Sequence, residues 1–244
     1  MTPTLLSLTA HQLLGRRRAI LIALLALVPV GVALLIRFAG DGSGAEAYGT
    51  AADTIGGLVF ILLLPIGALV FGTSALGSEV EDGTVVYLLA HPIARWRVIV
   101  VKAIVASTAT ILLTVPATLA TAWIILEGFD EASLWWAATA ATIVGSIVYS
   151  TLFVGLSAIT SRALIIGLVY VFVWEAFITN LFDGTRWISV REYVEGVADA
   201  LTTAAPLTAD LEGEEAAIAS VVVVAASLVV GTWFLTRFEI GERA

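Results

Sequence analysis

The chain has 244 residues, 59% hydrophobic and 13% charged, with a formal net charge of −8. Soluble domains carry roughly 25% charged residues, so this composition excludes an ordinary soluble fold and points to a polytopic membrane protein. Cysteine is absent and the two histidines, His11 and His91, lie far apart in sequence, which removes disulfides, thiolate metal sites and cysteine nucleophiles; no metal centre is expected.

The predicted fold is all-α, a single domain over 1–244 with six transmembrane helices at about 19–38, 55–77, 98–126, 134–160, 163–182 and 216–236. Each approaches or exceeds the roughly 20 apolar residues that cross about 30 Å of hydrocarbon. Ahead of the first, Thr2-Pro3 is a plausible helix start. Leu6, Ala10, Leu13 and Leu14 then share one face before Arg16, Arg17 and Arg18. This pattern predicts an N-terminal interfacial helix, although a positively flanked first span explains the arginines equally well. That first span is too long and too arginine-flanked to be only a signal peptide. Pro29, Pro65 and Pro116 fall inside spans, as lipid-embedded helices allow when neighbours satisfy the freed carbonyls.

Between the second and third predicted spans the apolar pattern breaks. Glu79, Glu81 and Asp82 carry the second span out of the membrane, and Asp82-Gly83 interrupts it. Thr84 can cap a very short helix, Val85-Val86-Tyr87-Leu88-Leu89, which His91-Pro92 ends because the residue before proline avoids the helical region. Arg95 and Arg97 follow as the third span begins. Five apolar residues held outside the bilayer need a burial place, either a groove on a cytoplasmic partner or the protein's own interfacial surface.

Within the fifth span, Glu175 lies about 12 residues from the inner end, roughly 18 Å up the helix. An ionisable group at that depth is expected to face protein or water. With Trp174 beside it and Asn180 above, it either lines an exit path and meets a cationic group, or hydrogen-bonds between spans and fixes packing. The next segment, SVREYVEGVADAL, spaces Ser189 and Glu192 as a capping box. Val190, Tyr193, Val194, Val197 and Leu201 line one face, with Arg191, Glu192, Glu195 and Asp199 opposite. This predicts an outer amphipathic helix between spans five and six, lining a path or covering helix ends.

Orientation follows from the basic residues. Nine of them, Arg16, Arg17, Arg18, Arg95, Arg97, Lys102, Arg162, Arg237 and Arg243, fall on one side, against Arg37, Arg186 and Arg191 on the other. The positive-inside rule therefore predicts both termini in the cytoplasm, and the 77–98 stretch with them. The outer loops are acidic, which reads most simply as a solvated face.

The stretch ALGSEVEDGTVVYLLAHPIARWRVIVVKAIVAS resembles the hallmark of type-2 permease subunits of ATP-binding-cassette exporters. In that family an acidic Glu-x-Glu-x-Gly-Thr run is followed by a short leucine-rich coupling helix, then Pro-(Ile/Val)-x-Arg and a lysine. Glu79, Glu81, Gly83, Thr84, Leu88 and Leu89 match, as do Pro92, Arg95 and Lys102. HQLLGRRRAIL and VYVFVWEAFITNL…RWISVREY also look like family members, so the resemblance covers nearly the whole chain.

The resemblance implies a non-catalytic permease in the prokaryotic plasma (inner) membrane, working with two copies of a separate ABC ATPase subunit and a second permease subunit, identical or different. Val85, Tyr87, Leu88 and Leu89 would seat in the ATPase, with Glu79, Glu81, Arg95 and Arg97 around them. The chain has no Gly-x4-Gly-Lys-Ser/Thr phosphate loop, so it is expected to bind no cofactor itself, ATP and Mg being held by the partner. No nucleic-acid partner is expected. The permease dimer is expected at the second and fifth spans, where Gly67, Gly72, Ala75 and Gly167 permit close approach or pack spans within one subunit. Two other readings are an ATP-independent channel or assembly factor, which leaves the 79–95 segment unexplained, and an intramembrane hydrolase using Ser74, which lacks a neighbouring histidine.

Overall fold

The computed structural model describes residues 16–39, 45–81, 94–128, 132–202, 209 and 211–237. Among these, all regular structure is helical. Helix α1 is Arg16–Ala39. Helix α2, Ala45–Thr54, runs through a π-helical stretch, Ile55–Leu63, into α3, Leu64–Glu81. Helices α4, Arg95–Leu126, and α5, Ala132–Ile159, follow. Helix α6, Ala163–Val169, passes through a second π-helical stretch, Tyr170–Ile178, into the short α7, Thr179–Leu181. A 3-10 turn at Asp183–Ile188 leads to α8, Val190–Leu201, and the last of the described helices, α9, is Gly213–Thr236.

Among the described residues, four helical stretches are long and apolar enough to cross a membrane: Ala47–Gly77, Arg95–Leu126, Ser133–Ile159 and Gly213–Thr236. The first and fifth predicted spans correspond to shorter apolar helices, Ala23–Ala39 and Ala163–Ile178. The expected N-terminal interfacial helix, before Arg16, and the expected coupling helix at 84–89 lie outside the described residues.

The π-helical stretch at 55–63 has a local cause. Pro65 has no N–H and its ring presses on the carbonyl four residues back. Widening the preceding turns relieves that pressure, and the Leu64 N–H bonds the Val59 carbonyl, five residues back.

Helix α5 is the hub, packed by α3, α4, α8 and α9, and its Tyr149 and Phe153 are wholly buried. Three hydroxyl pairs join α4 to α5: Thr110 with Ser150 at 2.9 Å, Thr114 with Ser146 at 3.2 Å, and Thr118 with Thr142 at 3.2 Å. Each step advances four residues on one helix and retreats four on the other, so an antiparallel pair meets on one face at every turn. In a bilayer such bonds average about 0.6 kcal/mol each. Where α5 crosses α9, a Cβ at Gly155 would stand 2.9 Å from the Ser227 carbonyl oxygen, and one at Gly231 would stand 3.2 Å from the Gly155 Cα. Glycine is what lets these backbones touch.

The small residues of the second and fifth predicted spans pack inside this one chain. A Cβ at Gly72 would meet the Phe153 Cβ at 2.8 Å and one at Gly67 the Leu113 side chain at 3.2 Å. Ala75 is wholly buried, and Gly167 is pressed by Leu69 and Phe153. Of the two uses foreseen for them, close approach within one subunit is the one this packing displays.

Candidate functional site

Glu175 is 3% exposed and is the centre of the most densely bonded polar site among the described residues. Its Oε2 accepts from the Tyr149 hydroxyl at 2.5 Å. Its Oε1 accepts from the Tyr170 hydroxyl at 3.0 Å, the Val190 backbone N–H at 2.8 Å and the Arg191 backbone N–H at 3.2 Å. An ionised carboxylate offers about four lone-pair sites, and four donors converge here. Three of them crowd Oε1 and one meets Oε2, so both oxygens are held by the chain's own groups.

The π-helical winding makes part of this possible. Tyr170 and Glu175 are five residues apart, which in an α-helix would set them about 140° apart around the axis. Bonding from i to i+5 widens the turn, bringing positions five apart close to one line, so both side chains face α8. Below them, the Tyr149 ring stacks on Phe153 with centroids 6.0 Å apart, which fixes its hydroxyl under the carboxylate. The Thr179 hydroxyl donates to the Glu175 carbonyl at 2.5 Å, adding a side-chain bond to the same turn.

Val190 and Arg191 are the first two residues of α8, so Glu175 caps this helix from another helix. Its carboxyl oxygen meets the positive end of the α8 dipole and two N–H groups that have no partner within the helix. The expected capping box does not form. Ser189 occupies the N-cap position as predicted, but its side chain makes no capping bond and its Oγ is buried without a partner. Glu192 instead turns an oxygen to Arg191 Nη2 at 3.2 Å. The Ser189 N–H that a capping-box Glu192 would receive donates to the Arg186 carbonyl at 3.0 Å, while Glu175 takes the N–H groups of Val190 and Arg191.

The start of α8 is packed back against the helix that carries Glu175. Past Glu175 the chain continues to Leu181, reverses through the 3-10 turn and returns to Glu175 at Val190. Val190, Glu192, Tyr193, Val194, Gly196 and Ala198 are all buried. The predicted apolar face is therefore correct at Val190, Tyr193 and Val194, whereas Leu201 is exposed. Of the predicted polar face, Glu192 is buried and Arg191 is largely covered. Burial works against the Arg191 charge, but Glu195 and Glu192 beside it outweigh that and hold its pKa above the ordinary range. Tyr193 donates its hydroxyl to the Trp187 carbonyl, and Tyr170 also lies 3.1 Å from the Ile188 carbonyl.

The residues expected to meet an ATPase are distributed differently. Glu79 and Glu81 sit on the last turn of α3. Gly83, Thr84, Val85, Tyr87, Leu88, Leu89 and Pro92 lie outside the described residues. Arg95 and Arg97 open α4. Arg95 Nη1 donates to the Leu235 carbonyl of α9 at 2.6 Å, and Arg97 lies over the Trp96 ring, 5.4 Å from its centroid. Asn180 is on the backbone of α7, five residues past Glu175. Among the described residues no three His, Cys, Asp or Glu side chains gather to hold a metal ion.

Sequence reading placed Glu175 correctly as protein-facing but missed Tyr149 and Tyr170 as its partners. Tyr170, five residues away, carries no signal if the span is read as a regular α-helix.

Compared with known proteins, residues 13–239 match the model of a family described as ABC-2 family transporter protein. No curated protein matches the chain.

Proposed function

The chain belongs to the ABC-2 family of transporter proteins, and on that premise we propose that it is the permease subunit of an ATP-driven exporter. The match over residues 13–239 carries this reading. It takes in the second and third predicted spans and the segment between them. Helix α3 ends at Glu81 and α4 begins at Arg95, and the 13 intervening residues hold the short leucine-rich stretch. In this reading Val85, Tyr87, Leu88 and Leu89 seat in a groove of a separate ABC ATPase, which holds ATP and Mg. Glu79, Glu81, Gly83, Thr84 and Pro92 shape the lever, and Arg95 and Arg97 flank it. The chain itself carries out no chemistry.

The remaining architecture follows from the same premise. Ala23–Ala39 and Ala163–Ile178 cross the membrane together with the four longer helices, giving six spans in a prokaryotic plasma membrane with both termini inside. Two ATPase copies serve two permease subunits. The fifth span supports a dimer contact by what it leaves uncovered: Ile165, Val169, Phe172, Val173, Phe177 and Leu181 are exposed apolar side chains along the stretch that carries Glu175. Glu175 serves this machine as an anchor for α8.

The experiment is co-purification of the chain with its cytoplasmic ATPase from native membranes, with turnover of the complex measured. Changing Leu88 and Leu89 to Asp places unpaired charge in an apolar groove, at a cost of several kcal/mol. The expected result is loss of both association and stimulated turnover. Unchanged association and turnover would refute the lever.

A further inference from the structure

A crevice of about 600 Å³ lies between α8 and α9, within the 300–1,000 Å³ range of small-molecule sites. One wall is Tyr170, Ile188, Val190 and Tyr193; the other is Ile218, Ala219, Val222 and Val223 of α9. The tyrosine hydroxyls are engaged elsewhere, Tyr170 with Glu175 and Tyr193 with the Trp187 carbonyl, so these side chains offer the crevice mainly their rings. The carboxylate clasp at Val190 and Arg191 holds the first wall in place. The crevice is preorganised and dry-walled.

Among the described residues its single charged lining residue is Glu215, in the first turn of α9, with Glu214 beside it. From Glu215 to Val223 the crevice follows eight residues of helix, about 12 Å, close to the roughly 15 Å of one hydrocarbon leaflet. Trp187, Ile188, Ile218 and Val222 at its mouth are exposed, so it opens sideways onto apolar surroundings. A carboxylate at one end and an apolar slot of leaflet depth below it complement one kind of molecule.

The structure assigns this crevice as a binding site for an amphiphile with a cationic amine head and a single alkyl tail, head at Glu215 and tail between α8 and α9. Placing the head at the outer leaflet rests on the permease reading and its orientation. Such an amphiphile has two sources, an amine-bearing membrane lipid resident in the crevice or the exported cargo itself.

The test uses the full chain in phosphatidylcholine nanodiscs and tetradecylamine carrying a mid-chain diazirine. Tetradecanol with the same diazirine runs in parallel, and labelled peptides are mapped by mass spectrometry. The amine is expected to concentrate its label in 187–193 and 218–223, and unlabelled tetradecyltrimethylammonium to compete it away. Glu215→Gln, which preserves shape, should weaken amine labelling several-fold while leaving the alcohol unchanged. Ala219→Trp, which fills the slot, should remove both from these peptides. Equal labelling by amine and alcohol, or label spread evenly over every exposed apolar face, overturns the assignment. A single-chain amine lipid such as lysophosphatidylethanolamine, retained through purification and displaced by the amine, identifies a resident lipid; amine label lost when the ATPase turns over ATP identifies cargo. Labelling needs no ATPase, so failure here and failure of the permease reading are separate results.

Discussion

Glu175 and Val190 stand 15 positions apart in sequence and 2.8 Å apart in space, a carboxylate of one helix closing the N-terminus of another. This relationship ties the fifth predicted span to α8 without any local cap at Ser189. Motion of that span must either carry α8 with it or break the bond.

Removing the carboxylate should therefore loosen α8 first. Glu175→Ala strands two backbone N–H groups and the Tyr149 hydroxyl, each costing about 1–3 kcal/mol when buried and unpaired. Hydrogen exchange over 190–201 should accelerate by more than tenfold while exchange in α4 and α5 changes little. Glu175→Gln keeps the shape and one carbonyl acceptor, so its exchange should fall between the two. Equal protection in wild type and Glu175→Ala would show that α8 is held by its apolar contacts alone.

The two groups below the clasp should act as a unit. Tyr149→Phe keeps the ring stacked on Phe153 but removes the 2.5 Å bond to Glu175. A bond to a charged group contributes about 1.5–3 kcal/mol, and the loss should appear in detergent or denaturant unfolding. In Glu175→Gln the same change should cost less, the sign of coupling in a double-mutant cycle. Additive costs would mean that the two side chains are neighbours without being partners.

Much of this organisation can be read from residue order, and the parts that cannot have physical reasons. The hydrophobic runs give the helices because lipid demands internally satisfied backbone. Ser189 marks the start of α8 because its position fits a cap. Which group fills the cap is a tertiary matter, since Glu175 comes from another helix to take the Val190 and Arg191 N–H groups and only packing brings it there. The π-helical stretch at Tyr170–Ile178 hides the Tyr170–Glu175 pairing from any reading with a 3.6 period. The hydroxyl ladder was accessible: Thr110, Thr114 and Thr118 recur every four residues, as do Thr142, Ser146 and Ser150.

Gly167 should behave as an internal residue. Its missing Cβ makes room for Leu69 and Phe153, so Gly167→Leu overpacks the chain and should cost at least about 1–3 kcal/mol. Dimer capture should instead track the exposed Val169, Phe172 and Val173. The chain has no cysteine, so Val173→Cys gives a single-site cross-linking background. Disulfide or bis-maleimide dimers in native membranes are expected from Val173→Cys and absent from Gly167→Cys. The reverse pattern would put the partner against the small-residue face.

Each rung of the α4–α5 ladder should contribute little singly. Thr110, Thr114 and Thr118 lie within hydrogen-bonding reach of carbonyls four residues back, at 2.8 to 2.9 Å, so a lost cross-helix partner leaves each hydroxyl satisfied. Ser146→Ala should cost less than about 1 kcal/mol, whereas replacing Thr142, Ser146 and Ser150 together by Ala should cost about 2 kcal/mol at roughly 0.6 per bond. Unfolding by steric trapping or by denaturant in mild detergent measures both. A single-rung loss above about 2 kcal/mol would mean that a cavity, rather than the bond, dominates.

Arg95 links the segment proposed to meet the ATPase to the end of the chain's last helix. Its Nη1 reaches the Leu235 carbonyl at 2.6 Å, one of the final carbonyls of α9 that lack an intrahelical donor. A cation there also meets the negative end of the helix dipole, a contribution of about 0.3–1 kcal/mol at a partly exposed position. Arg95→Gln removes the charge and shortens the reach, so the last turn of α9, around Trp233 to Thr236, should exchange its amides faster. Arg95→Lys should restore part of the protection, because an ammonium can still meet a carbonyl although it lacks the planar fork. If Arg95 serves only the ATPase contact, both variants will weaken association while exchange at the end of α9 stays as in wild type. If it serves both, amide protection and association will fall together, and the end of α9 will be sensitive to what occupies the 82–93 segment.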